Sequence, residues 1–236
     1  MPVITAVATT HCGLVRGRNE DTLVLPGLIS VGTVPASQCV TRADAGRCLY
    51  AVVDGMGGGR GGQEASRLVG QYLLDHLDNE ISVLLSGANR LLYDEMLRTP
   101  SLVGMGATVA GVLLEDLNAT VFNVGDVRVY QMADGCLMRV SVDDRLSAES
   151  NIVTQSLGGS ERRTDVSPHT TLFVFSLGQT LLICSDGLSD VVTFDVIQSV
   201  LAEEGALGAP SRLLQAALDK GAPDNVSIIT LELGDE

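Results

Sequence analysis

The chain alternates between short apolar runs and polar breaks. Strand-length runs, apolar throughout or at every second position, fall at 3–9, 21–25, 48–54, 107–115, 119–125, 127–133, 136–142, 170–176, 179–186 and 225–233. Most adjoin a neighbour across a tight polar bend. LLEDLNATV (113–121), YQMADGCLM (130–138) and FVFSLGQTLL (173–182) carry Asp, Asn or Gly at the bend and predict hairpins. Over 62–79 the residues Ala65, Leu68, Val69, Tyr72, Leu73 and Leu77 recur three to four apart, the spacing of one apolar helix face, and 81–99 reads as a second helix beside it. Shorter helices are predicted over 194–204 and 210–221, the latter with Pro210 at its start and Gly221 past its end. Helices that come as a pair and then late, with hairpin-joined strands between them, predict an antiparallel α+β fold rather than a βαβ succession. No repeat, low-complexity tract or linker divides the 236 residues, so one domain over 1–236 is expected.

Composition narrows the partners. A formal net charge of -14 argues against nucleic acid, whose phosphates need Lys and Arg, and equally against an anionic lipid surface. The same carboxylate excess suits a hard cation, although most of it simply solvates the surface. The first residues lack a basic segment followed by an apolar core, and no apolar run reaches the ~20 residues that span a bilayer. Neither a signal peptide nor membrane insertion is expected. Cys12, Cys39, Cys48, Cys136 and Cys184 are scattered and never spaced C-x-x-C, so they read as small buried hydrophobes in a reducing cytoplasm. The three histidines do not join them at zinc-ligand spacing.

The stretch LYAVVDGMGGGRGGQEAS (49–66) admits three readings. Gly57, Gly59 and Gly62 form G-x-G-x-x-G between a strand and a helix, with Asp75 and Asp78 beyond, which matches a dinucleotide fingerprint on paper. Asp54 precedes any glycine, however, and the ladder of parallel units is missing. No G-K-[ST] follows, so a P-loop is excluded. The second reading is a plain turn, and the third is one arm of a metal site.

Other strand ends favour the third. Asp126 follows Gly125 in TVFNVGDVRVY, Asp186 precedes Gly187 in LLICSDGLSDVV, and Asp224 precedes Asn225 in GAPDNVSII. Asp-Gly alone is a common turn. Four such aspartates at strand ends would be gathered by one sheet, and gathered carboxylates need a counter-charge. All-oxygen ligands without His or Cys point to Mg²⁺ or Mn²⁺ rather than zinc. In LVRGRNEDTLV, Arg16 could hold a phosphate by a two-pronged contact, and Glu20 and Asp21 could join the metals directly or through water. By itself this segment reads equally well as an exposed charged turn.

Read together, RGRNED, DGMGGGRGGQEAS, GMGATVAGVLL, NVGDVRVY, TQSLGG, LLICSDGLSDVV and APDNVSIITL, in that order over nearly the whole chain, resemble the metal-dependent protein phosphatases, the type 2C serine/threonine family, in a compact bacterial form. The resemblance implies a four-layer α-β-β-α sandwich of two mainly antiparallel sheets flanked by antiparallel helix pairs. It implies two Mn²⁺ or Mg²⁺ ions bridged by Asp54, with the Gly55 carbonyl on one and Asp186 and Asp224 on the other. Glu20 would contact a metal through water, and Arg16 would bind the phosphate. Asp126 with Asp186 matches a third, weaker metal position. The implied reaction is in-line attack of an activated water on phosphoserine or phosphothreonine, and the implied partners are a phosphoprotein substrate and a cognate serine/threonine kinase in the cytoplasm. The alternatives are a catalytically silent regulatory or binding module of the same fold, and a hydrolase of small phosphoesters.

Departures from the family pattern are few. Met56 stands where some relatives carry a histidine proposed as general acid. Ala107 replaces a usual threonine and Val127 a usual serine, neither a predicted ligand. His11, His76 and His169 lie outside the carboxylate-bearing motifs and read as ordinary residues. Many bacterial relatives carry D-H-S and a flap before the counterpart of TQSLGG. Here Asp143-Asp144 and about ten residues fill that gap, which predicts a flap reduced to a short loop around 144–154.

Overall fold

The computed structural model describes residues 3–31, 37–44, 46–57, 60–147, 150 and 152–234. Among them the chain forms β1 (Val3–His11), β2 (Thr22–Leu25), β3 (Leu28–Val31), β4 (Ser37–Asp44) and β5 (Arg47–Met56). The helices α1 (Gly61–Asp75) and α2 (Ile81–Arg98) follow, then β6 (Gly106–Glu115), β7 (Asn118–Val124), β8 (Arg128–Ala133), β9 (Cys136–Arg139) and β10 (Leu157–Gly158). The chain continues with β11 (His169–Val174), β12 (Thr180–Cys184), α3 (Asp186–Ser189), α4 (Phe194–Asp219) and β13 (Val226–Gly234). The strands build two sheets, ordered β4-β1-β13-β12-β8-β9 and β11-β7-β6-β5-β2-β3, with β10 added against β6. Every described pairing is antiparallel.

Strand alternation sorts side chains into layers. In β5, Cys48, Tyr50 and Val52 point into a core shared by the two sheets, where they join Ile4, Ala6, Ile183, Ile229 and Leu231 of the opposite sheet. Leu49, Ala51 and Val53 point the other way, onto Ala65, Val69 and Leu73 of α1 and Leu84, Leu85 and Leu92 of α2. The outer face of the first sheet, through Leu182, Cys184 and Ile228, receives Ile197, Leu201, Leu213 and Ala217 of α4. Helices, sheet, sheet and helix thus stack as the α-β-β-α sandwich.

Each predicted strand is present. β3, β4 and β10 were not expected. β3 and β4 are edge strands, and β10 is only two residues long. The segment at 173–182 departs from expectation. A turn forms there, with Gln179 N–H on Ser176 O at 3.2 Å, but β11 pairs with β7 in one sheet and β12 with β13 and β8 in the other. Phe175 is fully buried between the sheets, so this bend is a crossover between layers and not a hairpin. The two late helices run on as α4, broken where Gly205 takes a left-handed φ of 61°. Pro210 has no N–H to give the Ala206 carbonyl four residues back, and Thr230 Oγ1 donates to it instead at 2.6 Å. Among the described residues no helix is long and apolar enough to cross a membrane.

Candidate metal centre

The strand order brings the predicted residues to one end of the sandwich. Asp54 lies near the end of β5, with Thr108 of β6 as its register partner. Asp126 sits between β7 and β8, Asp186 directly after β12, Asp224 just before β13, and Glu20 and Asp21 before β2. A cleft of about 520 Å³ is lined by Arg16, Arg18, Glu20, Asp54, Gly55, Asp126, Asp186 and Asp224, together with Met56, Thr108, Val153 and Asn225. Arg16, Glu20, Asp54, Gly55, Asp126, Asp186 and Asp224, the site residues expected from the sequence, line it, and Asp21 is buried beside them without lining it.

Gly55 and Gly62 serve close packing. A Cβ on Gly55 would collide with the carbonyls of Gly62 and Glu20, and one on Gly62 would collide with the Glu20 carboxylate. This pair lets the Arg16–Glu20 loop lie directly against the end of β5. β5 has antiparallel neighbours on both sides, β2 and β6, so the parallel unit required by a dinucleotide fold is absent here. Gly59 lies outside the described residues.

Several polar side chains that the sequence reading passed over hold the loop. Asn225 accepts the Glu20 N–H at 2.7 Å and donates to the carbonyls of Cys12 at 2.9 Å and Arg18 at 2.8 Å. Behind it, Asn19 Nδ2 donates to Thr10 Oγ1 at 2.7 Å, the Thr10 and Ser227 hydroxyls meet at 2.8 Å, and Ser227 donates to Asp21 Oδ2 at 2.6 Å. This buried hydroxyl chain is aimed at the Asp21 carboxylate. Nothing in the sequence signalled it, since Thr10 and Ser227 stand in strands that also carry Thr5, Thr9, Thr230 and Glu232.

The carboxylates in and beneath the cleft are only partly compensated: Asp54 and Asp21 have no ion-pair partner among the described residues, whereas Asp126, Asp186 and Asp224 each meet an arginine. Asp21 Oδ1 and Asp186 Oδ1 are buried without a hydrogen-bond partner. Burial, then the charges of Asp21, Asp186, Asp126 and Asp224, pushes the Asp54 carboxyl well above the ordinary range. Asp186 is pushed up to about 7 by burial and then by Asp126 and Asp224. Asp21 rises to about 6 because burial outweighs the bond from Ser227. Glu20 is raised mainly by burial. Desolvated, mutually repelling oxygens of this kind fit a hard divalent cation, which removes the cost of gathering them. As they stand, no three described carboxylates close on a single point. Two arginines draw some of them aside. Arg16 at the exposed rim bonds Asp224 Oδ2 at 2.6 Å, and Arg145 bonds Asp126 Oδ2 at 2.8 Å and reaches Asp186 Oδ2 at 3.5 Å. Arg16 and Asp224, expected on a phosphate and a metal, are here each other's partner.

No histidine lines the cleft. His11 accepts the Gly13 N–H at 2.9 Å, His76 stacks on Tyr72 with centroids 3.9 Å apart, and His169 bonds Asp144 at 2.9 Å.

A family model described as protein phosphatase 2C matches residues 36–220. The chain belongs to the protein phosphatase 2C family. It is 29% identical, over a 255-residue alignment, to the serine/threonine protein phosphatase PstP of Mycobacterium tuberculosis, covering 99% of this chain and 46% of that one. The chain therefore spans about half the length of that relative. The serine/threonine phosphatase stp of Listeria monocytogenes is 26% identical over 78% of this chain and 84% of its own. Among solved structures, PstP/Ppp of M. tuberculosis superposes with a TM-score of 0.82 at 27% identity, over 99% of this chain and 100% of that one. The catalytic domain of PstP in complex with two manganese ions gives 0.80 at 29% identity over the whole of both chains.

Proposed function

We propose that the chain is a Mg²⁺- or Mn²⁺-dependent protein serine/threonine phosphatase that acts in the cytoplasm on a phosphoprotein and opposes a cognate serine/threonine kinase. One observation carries the reading: Asp54 and Asp186 line one cleft with Asp21 buried close by, and Asp186 Oδ1 and Asp21 Oδ1 are left buried without a hydrogen-bond partner. Asp54, the Gly55 carbonyl, Asp186 and Asp224 would hold two cations, and Glu20 would reach one through water. Such ions supply Lewis acidity toward a phosphoryl oxygen and make water a nucleophile near neutral pH.

The chain's own groups do the rest. Arg16, exposed at the rim and paired with Asp224, would offer its guanidinium to the phosphoryl oxygens when Asp224 serves as a metal ligand. Asn225 fixes the Arg18 carbonyl and the Glu20 N–H, so the loop that presents Arg16 keeps its place beside Asp224. With Met56 beside Gly55 and no histidine in the cleft, the leaving alkoxide takes its proton from water. The relatives' names as serine/threonine phosphatases support this substrate class. We further propose that 1–236 acts as one catalytic domain in which the loop 144–154 stands in place of a flap. An antiparallel bridge between Arg145 and Val153 supports this, while residues 148, 149 and 151 lie outside the described residues.

The test is hydrolysis of a phosphothreonine peptide by wild type and Asp54→Asn with Mn²⁺, Mg²⁺ or EDTA. Metal-dependent release of phosphate that Asp54→Asn abolishes is the expected result. A folded, metal-loaded wild type inert toward a panel of phosphopeptides would move the reading to a regulatory module.

A further inference from the structure

Asp126 and Asp186, the pair that the resemblance gives to a third, weaker metal ion, already share a cation. The Arg145 Nε donates to Asp126 Oδ2 at 2.8 Å and its Nη2 lies 3.5 Å from Asp186 Oδ2. Nη1 and Nη2 grip Asp190 from the other side at 3.0 and 2.9 Å. The Arg145 side chain is 4% exposed and that of Asp126 5%, so this is a buried guanidinium and not a surface arginine swung inward. A divalent ion placed between the same two carboxylates would meet the guanidinium at contact range, where like charges repel strongly.

The loop that carries Arg145 is tied down next to Asp126. Asp144 N–H donates to the Gly125 carbonyl at 2.9 Å, and Asp144 Oδ2 accepts the Gly125 N–H at 2.9 Å. The same carboxylate takes Gln155 Nε2 at 2.9 Å and His169 Nε2 at 2.9 Å, and the Asp144 carbonyl takes the Thr154 N–H at 2.7 Å. The residue before Arg145 is thus bonded twice to the residue before Asp126. Arg145 is held between Asp126 and Asp186 by a loop whose bonds, made by the Asp144 backbone and carboxylate, do not involve its own charge.

We propose that Arg145 is a resident cation that takes the place of a third metal ion, so that this chain holds two divalent ions and orients Asp186 with a guanidinium. The proposal rests on the phosphatase reading, in which Asp186 is a ligand. Arg145 engages one oxygen of Asp186, Oδ2, and the other, Oδ1, is left buried without a partner. Arg145 is in this sense a positioning residue, and it needs no free metal to act.

The experiment counts Mn²⁺ bound per folded chain, by equilibrium dialysis with electron paramagnetic resonance of the free ion. Wild type is expected to bind two, Arg145→Ala to gain a third and weaker ion, and Asp126→Asn added to Arg145→Ala to lose that third ion again. If removal of Arg145 prevents folding, Asp126→Asn alone decides the matter: it should still bind two. Three ions on wild type, only two on folded Arg145→Ala, or the loss of an ion from Asp126→Asn alone would overturn the proposal while leaving the metal centre standing. No ion on folded wild type would overturn the phosphatase reading itself, and this proposal with it.

Discussion

Two groups of aspartates share this cleft and its wall, and the chain treats them differently. The wall is a ladder of alternating charges that leads away from the cleft at its lining residue Asp126, through Arg145, Asp190, Arg128, Asp143 and Arg139, linked by pairs at 2.8 to 3.8 Å. On the floor, Asp54 and Asp21 make no salt bridge among the described residues, and burial with mutual repulsion raises both. Asp186 belongs to both groups, one oxygen toward Arg145 and the other unpartnered. A buried carboxylate paired with the chain's own arginine is part of the scaffold. One left bare in an open cleft is a place kept for charge from outside, because an uncompensated buried charge costs several kcal/mol that folding alone would not retain.

The largest effect that separates the two groups is on turnover. Asp54→Asn removes charge from the floor and should cut hydrolysis of a phosphothreonine peptide by about 10³-fold or more, the scale of losing a transition-state stabiliser, while urea unfolding shows little loss of stability. On the wall the signature is reversed. Arg128→Met strips Asp143 of a two-pronged partner in a pair only 12% and 13% exposed, and should cost about 3 kcal/mol in urea unfolding. A wall variant that left stability intact would dissolve the distinction.

Arg16→Ala should act mostly on substrate affinity. Losing one charge-assisted contact to the phosphoryl group is worth about 2 kcal/mol, read as a rise in KM larger than the fall in kcat. The smallest effect concerns pH in the metal-free protein. Asp186 and Asp21 have folded-state pKa values raised to about 7 and about 6, so the folded chain holds protons that the unfolded chain has released. Stability is then highest below the unfolded carboxylate pKa near ~4 and falls as pH rises toward 7. Melting temperature in EDTA should decline over that window by about 2–4 °C for each kcal/mol lost, and saturating Mn²⁺ should remove the decline. A metal-free melting temperature that rose from pH 4 to 7 would contradict the floor's charge state.

Much of the fold was legible because alternation and helical spacing are local. β5 announced itself as a strand in the apolar run CLYAVVD, and α1 its buried stripe in Ala65, Val69 and Leu73. The bend at 173–182 misled because a turn's chemistry does not say whether the strands it joins stay in one sheet. Burial of Phe175 between layers decides that. Asp54, Asp126, Asp186 and Asp224 could be read because each ends or opens an apolar run beside glycine or asparagine. Arg145 could not: its partners lie 19, 41 and 45 residues away, and a loop bond from Asp144 to Gly125 sets its position. The Thr10–Ser227 hydroxyl pair spans 217 residues and was equally invisible.

The difference between floor and wall can be seen directly by anomalous diffraction from crystals soaked in Mn²⁺. Density is expected for ions among Asp54, Gly55, Asp186 and Asp224, with Arg145 still in place between Asp126 and Asp186. An ion between Asp126 and Asp186 with Arg145 displaced, or no ion beside Asp54, would contradict this expectation.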